Sequence, residues 1–144
     1  MTHNILVRLL VLGAAAWPAL APAADRAWTL DQVSPGLQAV GRAVVVPFQP
    51  GKMDAPLPAN ARITRVYAAR SYDGPARVAT DLCWGSAQGP CVPLQGSHVN
   101  TRAFDGRSAQ GPLLLVHRVE NWGPASPPLF VRGTVTVWYA AGRP

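Results

Sequence analysis

Apolar and polar residues alternate near the C-terminal end of this 144-residue chain. Within residues 129–139, every second position is apolar or glycine: Val131, Gly133, Val135, Val137 and Tyr139. The residues between them form a second, more polar set: Arg132, Thr134, Thr136 and Trp138. A period of two is typical of a strand that turns one face towards a core. Residues 129–139 are therefore predicted to form a strand.

Six other short segments also predict strands, because they contain β-branched and aromatic residues and are bounded by Gly, Pro or Asp. They are residues 44–48, 63–72, 77–84, 91–94, 99–104 and 112–119. In the last of these, residues 113–116 (LLLV) are bulky on both faces, which predicts a central strand covered on both sides. Residues 77–84 and 91–94 are expected to pair as a hairpin. Residues 37–44 predict one short helical turn.

The composition agrees with one domain built from many short strands. The chain contains 13 Gly and 15 Pro, and helix breakers at this density exclude long regular helices. Its hydrophobic content of 49% excludes an ordinary disordered chain. The predicted fold is all-β, with a single small antiparallel β-sandwich or barrel-like domain.

The first 23 residues are predicted to be a secretory signal peptide rather than part of the fold. Arg8 precedes an apolar run at residues 9–16, which is short for a membrane span. Small residues at Ala21 and Ala23 place cleavage after residue 23 or one residue later, with cleavage after Ala21 and an uncleaved anchor as alternatives. Residues 24–144 then form the single domain, and the loss of Arg8 lowers the net charge of +6 by one. No later segment is long and apolar enough for stable membrane insertion of the mature chain.

Cys83 and Cys91 enclose seven residues that include two Gly and one Pro. Such a loop allows its ends to approach, and an exported protein meets an oxidising compartment in which a disulfide persists. A Cys83–Cys91 disulfide is predicted, so that the hairpin is stapled. A metal site is the alternative, although His98 and His117 lack finger-like spacing from the cysteines; free thiols are the third possibility.

The motifs of enzymes are missing from the sequence. Residues 106–110 (GRSAQ) break a nucleophile elbow at the last position, and no phosphate-binding glycine loop occurs. Ser97 and His98 are adjacent, and neighbours on a strand point to opposite faces, so they do not predict a dyad. The few acids show no paired pattern. The sequence predicts a protein that is not an enzyme and that has no cofactor and no metal.

Arginine and tryptophan side chains remain as candidates for binding a partner. Arg62, Arg65, Arg70 and Arg77 lie within sixteen residues, on two strands that are expected to be neighbours. Clustered arginines suit an acidic protein surface or another polyanion, whereas a solvated strand face is the alternative interpretation. Nucleic acid is a poor partner for an exported protein. The candidate partner-binding residues are Arg65, Arg70, Arg77, Trp84, Trp122, Arg132 and Trp138, and for each tryptophan core packing is the alternative.

An ordered set of short pieces resembles the flagellar protein FlhE family. The pieces are Cys83, residues 91–96 (CVPLQG), 101–106 (TRAFDG), 111–113 (GPL) and 135–139 (VTVWY), with Trp28 soon after the signal. The likeness extends from Trp28 to Tyr139 and is strongest after Cys83. This chain departs from the family pattern in the loop between the cysteines, which is longer here and contains Trp84, and in residues 121–128.

The resemblance implies a non-enzymatic accessory protein of the flagellum, located in the periplasm. It implies that the protein guards flagellar assembly, either by limiting proton leakage through the export apparatus or by preventing premature filament assembly in a chaperone-like way. The implied partners are flagellar structural subunits or export-apparatus proteins. Residues 131–139 are the candidate edge or near-edge strand for β-addition, with a central strand as the alternative.

The sequence is also compatible with two other functions. One is a periplasmic module that binds carbohydrate or peptidoglycan, which exposed and coplanar Trp84 and Trp122 would favour. The other is an exported inhibitor of a hydrolase, in which the stapled loop at residues 84–90 enters a cleft.

Overall fold

The structure, a computed structural model, describes residues 26–51 and 56–142, which form two packed β-sheets. The predicted signal peptide lies outside the described residues. The eight strands are β1 (Arg26–Val33), β2 (Val44–Phe48), β3 (Ala61–Ser71), β4 (Arg77–Trp84), β5 (Cys91–Pro93), β6 (His98–Thr101), β7 (Leu113–Asn121) and β8 (Arg132–Ala141).

Each sheet has four antiparallel strands. The first has the order β1-β8-β3-β6 and the second has the order β2-β7-β4-β5. The all-β prediction is confirmed, and the architecture is a sandwich rather than a closed barrel. Of the seven connections between consecutive strands, only the one from β4 to β5 joins neighbours within a sheet. At every other connection the chain passes from one sheet to the other.

The core lies between the inner faces of the two sheets. The alternation predicted for β8 is observed, since Val131, Gly133, Val135, Val137 and Tyr139 are all buried. Facing them are Phe48 of β2 and the inward residues of β7, with Leu113 and Leu115 fully buried. Burial of each large apolar side chain of this kind stabilises the fold by roughly 1.5–3 kcal/mol.

Gly133 allows the two sheets to approach closely at the centre of this core. A Cβ atom at this position would lie 2.6 Å from Leu115 Cδ1 and 3.1 Å from Phe48 Cζ. Both neighbouring side chains are fully buried, so neither has free space to move into. Gly133 therefore occupies the inward face of β8 because no larger residue fits there.

Strand β7 is covered on both faces, as the sequence predicts. Its inner face carries Leu113 and Leu115, whereas Leu114 and Val116 on the outer face pack with Cys83 and Ala87. Ala87 belongs to the loop between the two cysteines. The stapled loop thus folds back over the outside of β7 and shields it.

The predicted hairpin of β4 and β5 is confirmed, with Cys83 opposite Cys91 in the register and joined to it by a disulfide. The structure therefore decides against free thiols and against a metal site at these cysteines. β5 is three residues long, so the covalent bond fixes a strand that has few backbone pairs of its own.

The helical turn expected at residues 37–44 is wrong. Leu37 exchanges backbone hydrogen bonds with Leu129 at 2.8 and 3.0 Å, and the Gly41 amide donates to the Val119 carbonyl at 2.9 Å. The segment thus joins the first sheet to the second. The Leu37 and Gly41 backbone groups are satisfied by the segment before β8 and by β7, without a helical turn.

Two strands differ from the sequence predictions. β1 was not predicted, although Trp28 and Leu30 alternate with polar residues along it. β6 ends at Thr101, and Phe104, which was expected in the same strand, lies in a turn with its side chain fully buried.

The strand expected at or near an edge, β8, is second from the edge, since it pairs with β1 on one side and with β3 on the other. Its backbone is therefore not free for the β-addition that was expected there.

We expect Gly133→Val to destabilise the protein by roughly 1–3 kcal/mol, because the added methyl groups must displace Leu115 or Phe48 in a filled core. Urea denaturation monitored by tryptophan fluorescence measures the change. Gly51→Val is the matched control, since a Cβ at Gly51 meets no atom within 4 Å. Equal stability of the two variants would contradict the close approach.

Replacing both cysteines (Cys83→Ala with Cys91→Ala) should lower the free energy of unfolding by about 2–3 kcal/mol, the value expected for closing a loop with a sequence separation of 8. Wild-type protein in reductant should lose a similar amount, and the double variant should be indifferent to reductant. Unchanged stability in both tests would mean that packing alone holds the loop against β7.

Candidate functional site

The outer face of the first sheet carries three of the candidate residues, Arg65, Arg132 and Trp138. Its side chains alternate with the buried ones on β1, β8, β3 and β6, so the register places them in rows across the sheet. The rows are Ala27, Trp138 and Arg65; Thr29, Thr136, Tyr67 and Asn100; Asp31, Thr134, Ala69 and His98; and Val33, Arg132 and Ser71. We call this surface the outer face.

Arg65 and Trp138 are in direct contact on the outer face. The guanidinium carbon of Arg65 lies 3.9 Å from the centroid of the Trp138 ring, a cation–π contact worth about 0.5–1 kcal/mol at an exposed site. A register shift between Ile63 and Arg65 places Arg62 and Arg65 on the same side of β3. The guanidinium covers one face of the indole, so Trp138 does not offer that face as a flat platform for a sugar.

Polar contacts between strands order the rest of this face. The hydroxyls of Thr29 and Thr136 are 2.8 Å apart, and the Thr134 hydroxyl donates to Asp31. Tyr67 and His98 lie with their rings 6.3 Å apart and tilted by 33°. These pairs fix the side chains in a defined arrangement, which lowers the entropy that binding a partner would cost.

Arg132 lies at one end of the outer face, between two exposed apolar side chains. Val33 and Phe130 are each 55% exposed. Two adjoining depressions of about 330 and 340 Å³ share Val33 and Arg132; the first is also lined by Tyr72 and Phe130, and the second by Asp31 and Thr134. Within the described residues Arg132 forms no ion pair. This end of the face thus combines an uncompensated cation with accessible apolar surface.

Trp84 is half-buried and has a packing role. Its indole nitrogen donates to the Ser108 carbonyl at 3.1 Å, and the Arg107 guanidinium lies 4.9 Å from the ring centroid. A Cβ at Gly111 would lie 2.9–3.0 Å from the ring atoms. Trp84 therefore holds residues 107–111 against the end of β4.

Trp122 is also half-buried, and it packs against the second apolar cluster, which contains Leu37, Val119 and Val131. Trp84 pairs with Leu113 at the opposite end of β7. Residues 113 and 122 are nine positions apart, which separates the two indoles by roughly 25–30 Å along the sheet. The arrangement that would favour a carbohydrate module, two exposed and coplanar tryptophans, is not observed.

The two strands that carry the expected arginine cluster are not neighbours, because β3 and β4 belong to different sheets. That expectation is wrong. β3 carries Arg65 and Arg70, whereas β4 carries Arg77 in the second sheet. Arg70 bridges the sheets, because its Nη2 donates to the Val78 carbonyl at 2.7 Å and its guanidinium lies 5.2 Å from the Tyr72 ring. Arg70 and Arg77 both line a lateral cleft of about 420 Å³ together with Glu120.

His117 is buried in the core, behind Thr80, which lines this cleft. It is 1% exposed, and its Nδ1 lies 2.8 Å from the hydroxyl of Thr80, directly opposite it in the register. Burial, and secondarily the positive charge of Arg70, lower the pKa of His117 from 6.5 to about 4. The histidine is therefore neutral at pH 7 and acts as a hydrogen-bonded core residue.

The sequence missed Val33, Tyr67 and Phe130 as surface residues of interest. Val33 was missed because β1 was not predicted, although the alternation of Trp28 and Leu30 was a usable signal. Phe130 immediately precedes a buried valine in a segment read as a strand, so alternation would have suggested its outward orientation. Nothing in the sequence indicates that Val33 and Phe130 flank one arginine.

The described residues contain no group of three His, Cys, Asp or Glu side chains that could hold a metal ion. In the same part of the chain, no helix has the length and apolar character needed to cross a membrane.

Comparison with known proteins places these observations in a family. The family model described as "Flagellar protein FlhE" matches residues 35–140. A solved structure described as the crystal structure of FLHE resembles this chain with a TM-score of 0.64 and 27% sequence identity. The matched region covers 81% of this chain and 98% of the chain in that structure. No match was found among the curated proteins.

The stability of the protein should fall as the pH drops from about 6.5 towards 4, because in this range His117 is protonated in the unfolded chain and largely neutral in the folded protein. The loss from this one group amounts to about 3 kcal/mol at the lower end, and it is absent above the ordinary pKa. Urea denaturation across this pH range measures it. His117→Gln should remove this part of the pH dependence and His98→Gln should keep it; identical profiles for both variants would contradict the assignment.

Proposed function

The chain belongs to the flagellar protein FlhE family, and we propose that it acts in the periplasm as a non-enzymatic guard of flagellar assembly and export. The observation that carries the proposal is the family match over residues 35–140, together with a solved FLHE structure of the same fold. The family is a flagellar one and not a known enzyme family. The protein binds a flagellar subunit or an export-apparatus protein in this proposal.

The disulfide supports the location. A structural disulfide between Cys83 and Cys91 persists in the periplasm and is rare in a reducing cytoplasm. The predicted signal peptide at residues 1–23 would deliver the chain there. Together these two features favour a function outside the inner membrane.

The surface supports a binding role. The ordered outer face presents Arg65, Tyr67 and Trp138, residue types that are enriched where proteins bind proteins. His117, whose pKa is lowered by burial, is hydrogen-bonded inside the core. Recognition of a partner needs a rigid surface of this kind and no reacting group.

Two mechanisms fit a guard. In one, the protein covers the export apparatus and limits proton leakage; in the other, it holds flagellar subunits and prevents filaments from assembling in the periplasm. The first predicts a fall in cytoplasmic pH when the protein is absent, whereas the second predicts periplasmic filaments at normal cytoplasmic pH.

Deletion of the gene should alter motility and produce one of these two defects, which a cytoplasmic pH reporter and electron microscopy of the periplasm distinguish. A plasmid copy with Cys83→Ser and Cys91→Ser should complement incompletely, because the loop over β7 loses its covalent closure. Ser86→Ala, within the same loop but with the disulfide intact, is the matched control and should complement fully. Normal flagellation together with normal pH homeostasis in the deletion strain would overturn the proposal.

A further inference from the structure

The free edge of β1 differs from the other three sheet edges. β5 and β6 are three and four residues long, and β2 is five residues long and contains Pro47, which has no amide hydrogen to donate. β1 has eight residues and no Pro or Gly. Short strands and proline are the usual protections of an edge, and β1 lacks both.

The register identifies the backbone groups that are open on β1. The Ser34 amide donates to the Val131 carbonyl of the partner strand at 2.8 Å, so the even-numbered residues of β1 turn their N–H and C=O groups towards β8. The odd-numbered residues turn theirs away from it. These are Ala27, Thr29, Asp31 and Val33. No described strand lies on the side of β1 to which their N–H and C=O groups point.

The side chains beside this edge indicate the chemistry of a strand that would pair there. The outer face carries Arg62, Arg65 and Arg132 against a single acid, Asp31. Asp31 accepts a hydrogen bond from Thr134, and Arg132 has no ion pair within the described residues. Arg62 and Arg65 lie on β3, two strands in from the edge, so a strand that adds to β1 meets Asp31 on the edge strand itself and Arg132 on the next strand, beside Val33.

The apolar contacts lie at one end of the same edge. Val33 ends β1, and its exposed side chain adjoins both depressions beside Arg132. Phe130, equally exposed, lines the outer depression. An incoming strand would place one apolar side chain next to Val33 and a carboxylate two residues further along, on the same face, within reach of Arg132.

We infer that β1 binds an extended segment of a partner protein by β-addition, with a carboxylate of that segment on Arg132 and an apolar side chain packed on Val33 and Phe130. Backbone pairing with the four outward residues supplies affinity, whereas Arg132 and the apolar pair select the segment. The inference deepens the proposed function, on which it rests, by specifying how the guard holds its protein partner.

The test uses the purified mature protein and the synthetic peptide Ser-Val-Ser-Glu-Ser-Val-Ser-Glu, in which Val and Glu follow each other on one face, with the analogue that has Lys in place of Glu as the charge control. The acidic peptide should bind and the basic one should not. Amide hydrogen exchange at Thr29, Asp31 and Val33 should slow with the peptide bound, whereas the inward amides of Trp28, Leu30 and Gln32 should be slow already. Binding without this alternating protection would overturn the inference.

Thr29→Pro removes one outward amide that the fold does not use, so it should abolish binding and leave the cooperative unfolding transition in place. Thr29→Val keeps the amide and should bind as the wild type does. Arg132→Ala should weaken binding about tenfold, the loss expected for a contact with a charged group. If Thr29→Pro does not fold, the exchange pattern of the wild-type protein still decides the matter.

Two further measurements distinguish this inference from self-association of the protein and from the proposed function as a whole. Sedimentation of the protein alone should show a monomer; a dimer that Thr29→Pro dissociates would mean that a second copy occupies the edge, and would overturn the inference. In the deletion strain, Thr29→Pro should fail to complement while Thr29→Val succeeds. Full complementation by Thr29→Pro would remove β1 from the function and leave the guarding role itself intact.

Discussion

The contact between the inner faces of β7 and β8 is the interaction on which the rest of this structure depends. Because six of the seven strand connections pass from one sheet to the other, the strands that are neighbours in a sheet are distant in sequence. Local hairpins therefore contribute little to holding them together. Gly133 lets Leu115 and Phe48 pack at the centre, and this packing fixes the separation of the sheets, which in turn sets the position of every outward side chain.

The same topology explains where the molecule needs additional closure. The single hairpin, β4 with β5, reaches the edge of the second sheet and ends there in a strand of three residues. The disulfide closes it, and Ala87 from its loop covers Leu114 and Val116 on the outside of β7. One covalent bond thus fixes a short edge strand and holds the loop that covers Leu114 and Val116. The outer side of the first sheet has no such cover among the described residues, and it is the surface left for binding.

The faces of the strands could be predicted from the sequence, but their partners could not. A period of two assigns each side chain to the inside or the outside, and this was correct along β8 and for the doubly covered β7. The same pattern contains no information on which strands are adjacent, and the common expectation that consecutive strands pair placed Arg70 and Arg77 on neighbouring strands. The turn after β3 instead crosses to the other sheet. β1 was missed because its inward face offers only two large apolar side chains, Trp28 and Leu30, too few to stand out beside the apolar run at residues 9–16.

The positive charge of the chain has several different roles once its residues have positions. Arg118 pairs with Asp81 at 3.3 Å, Arg70 donates to a carbonyl between the sheets, and Arg65 covers an indole. Each of these cations is engaged within the fold, so a count of arginines overstates the charge offered to a partner. Arg132 differs, since it lies beside exposed apolar groups and an open strand edge and has no counter-ion there. Of the described arginines only Arg118 forms an ion pair, so Arg132 is distinguished by its place beside exposed apolar groups and an open edge. In the proposed interaction, recognition depends on that place, and the net charge alone does not determine it.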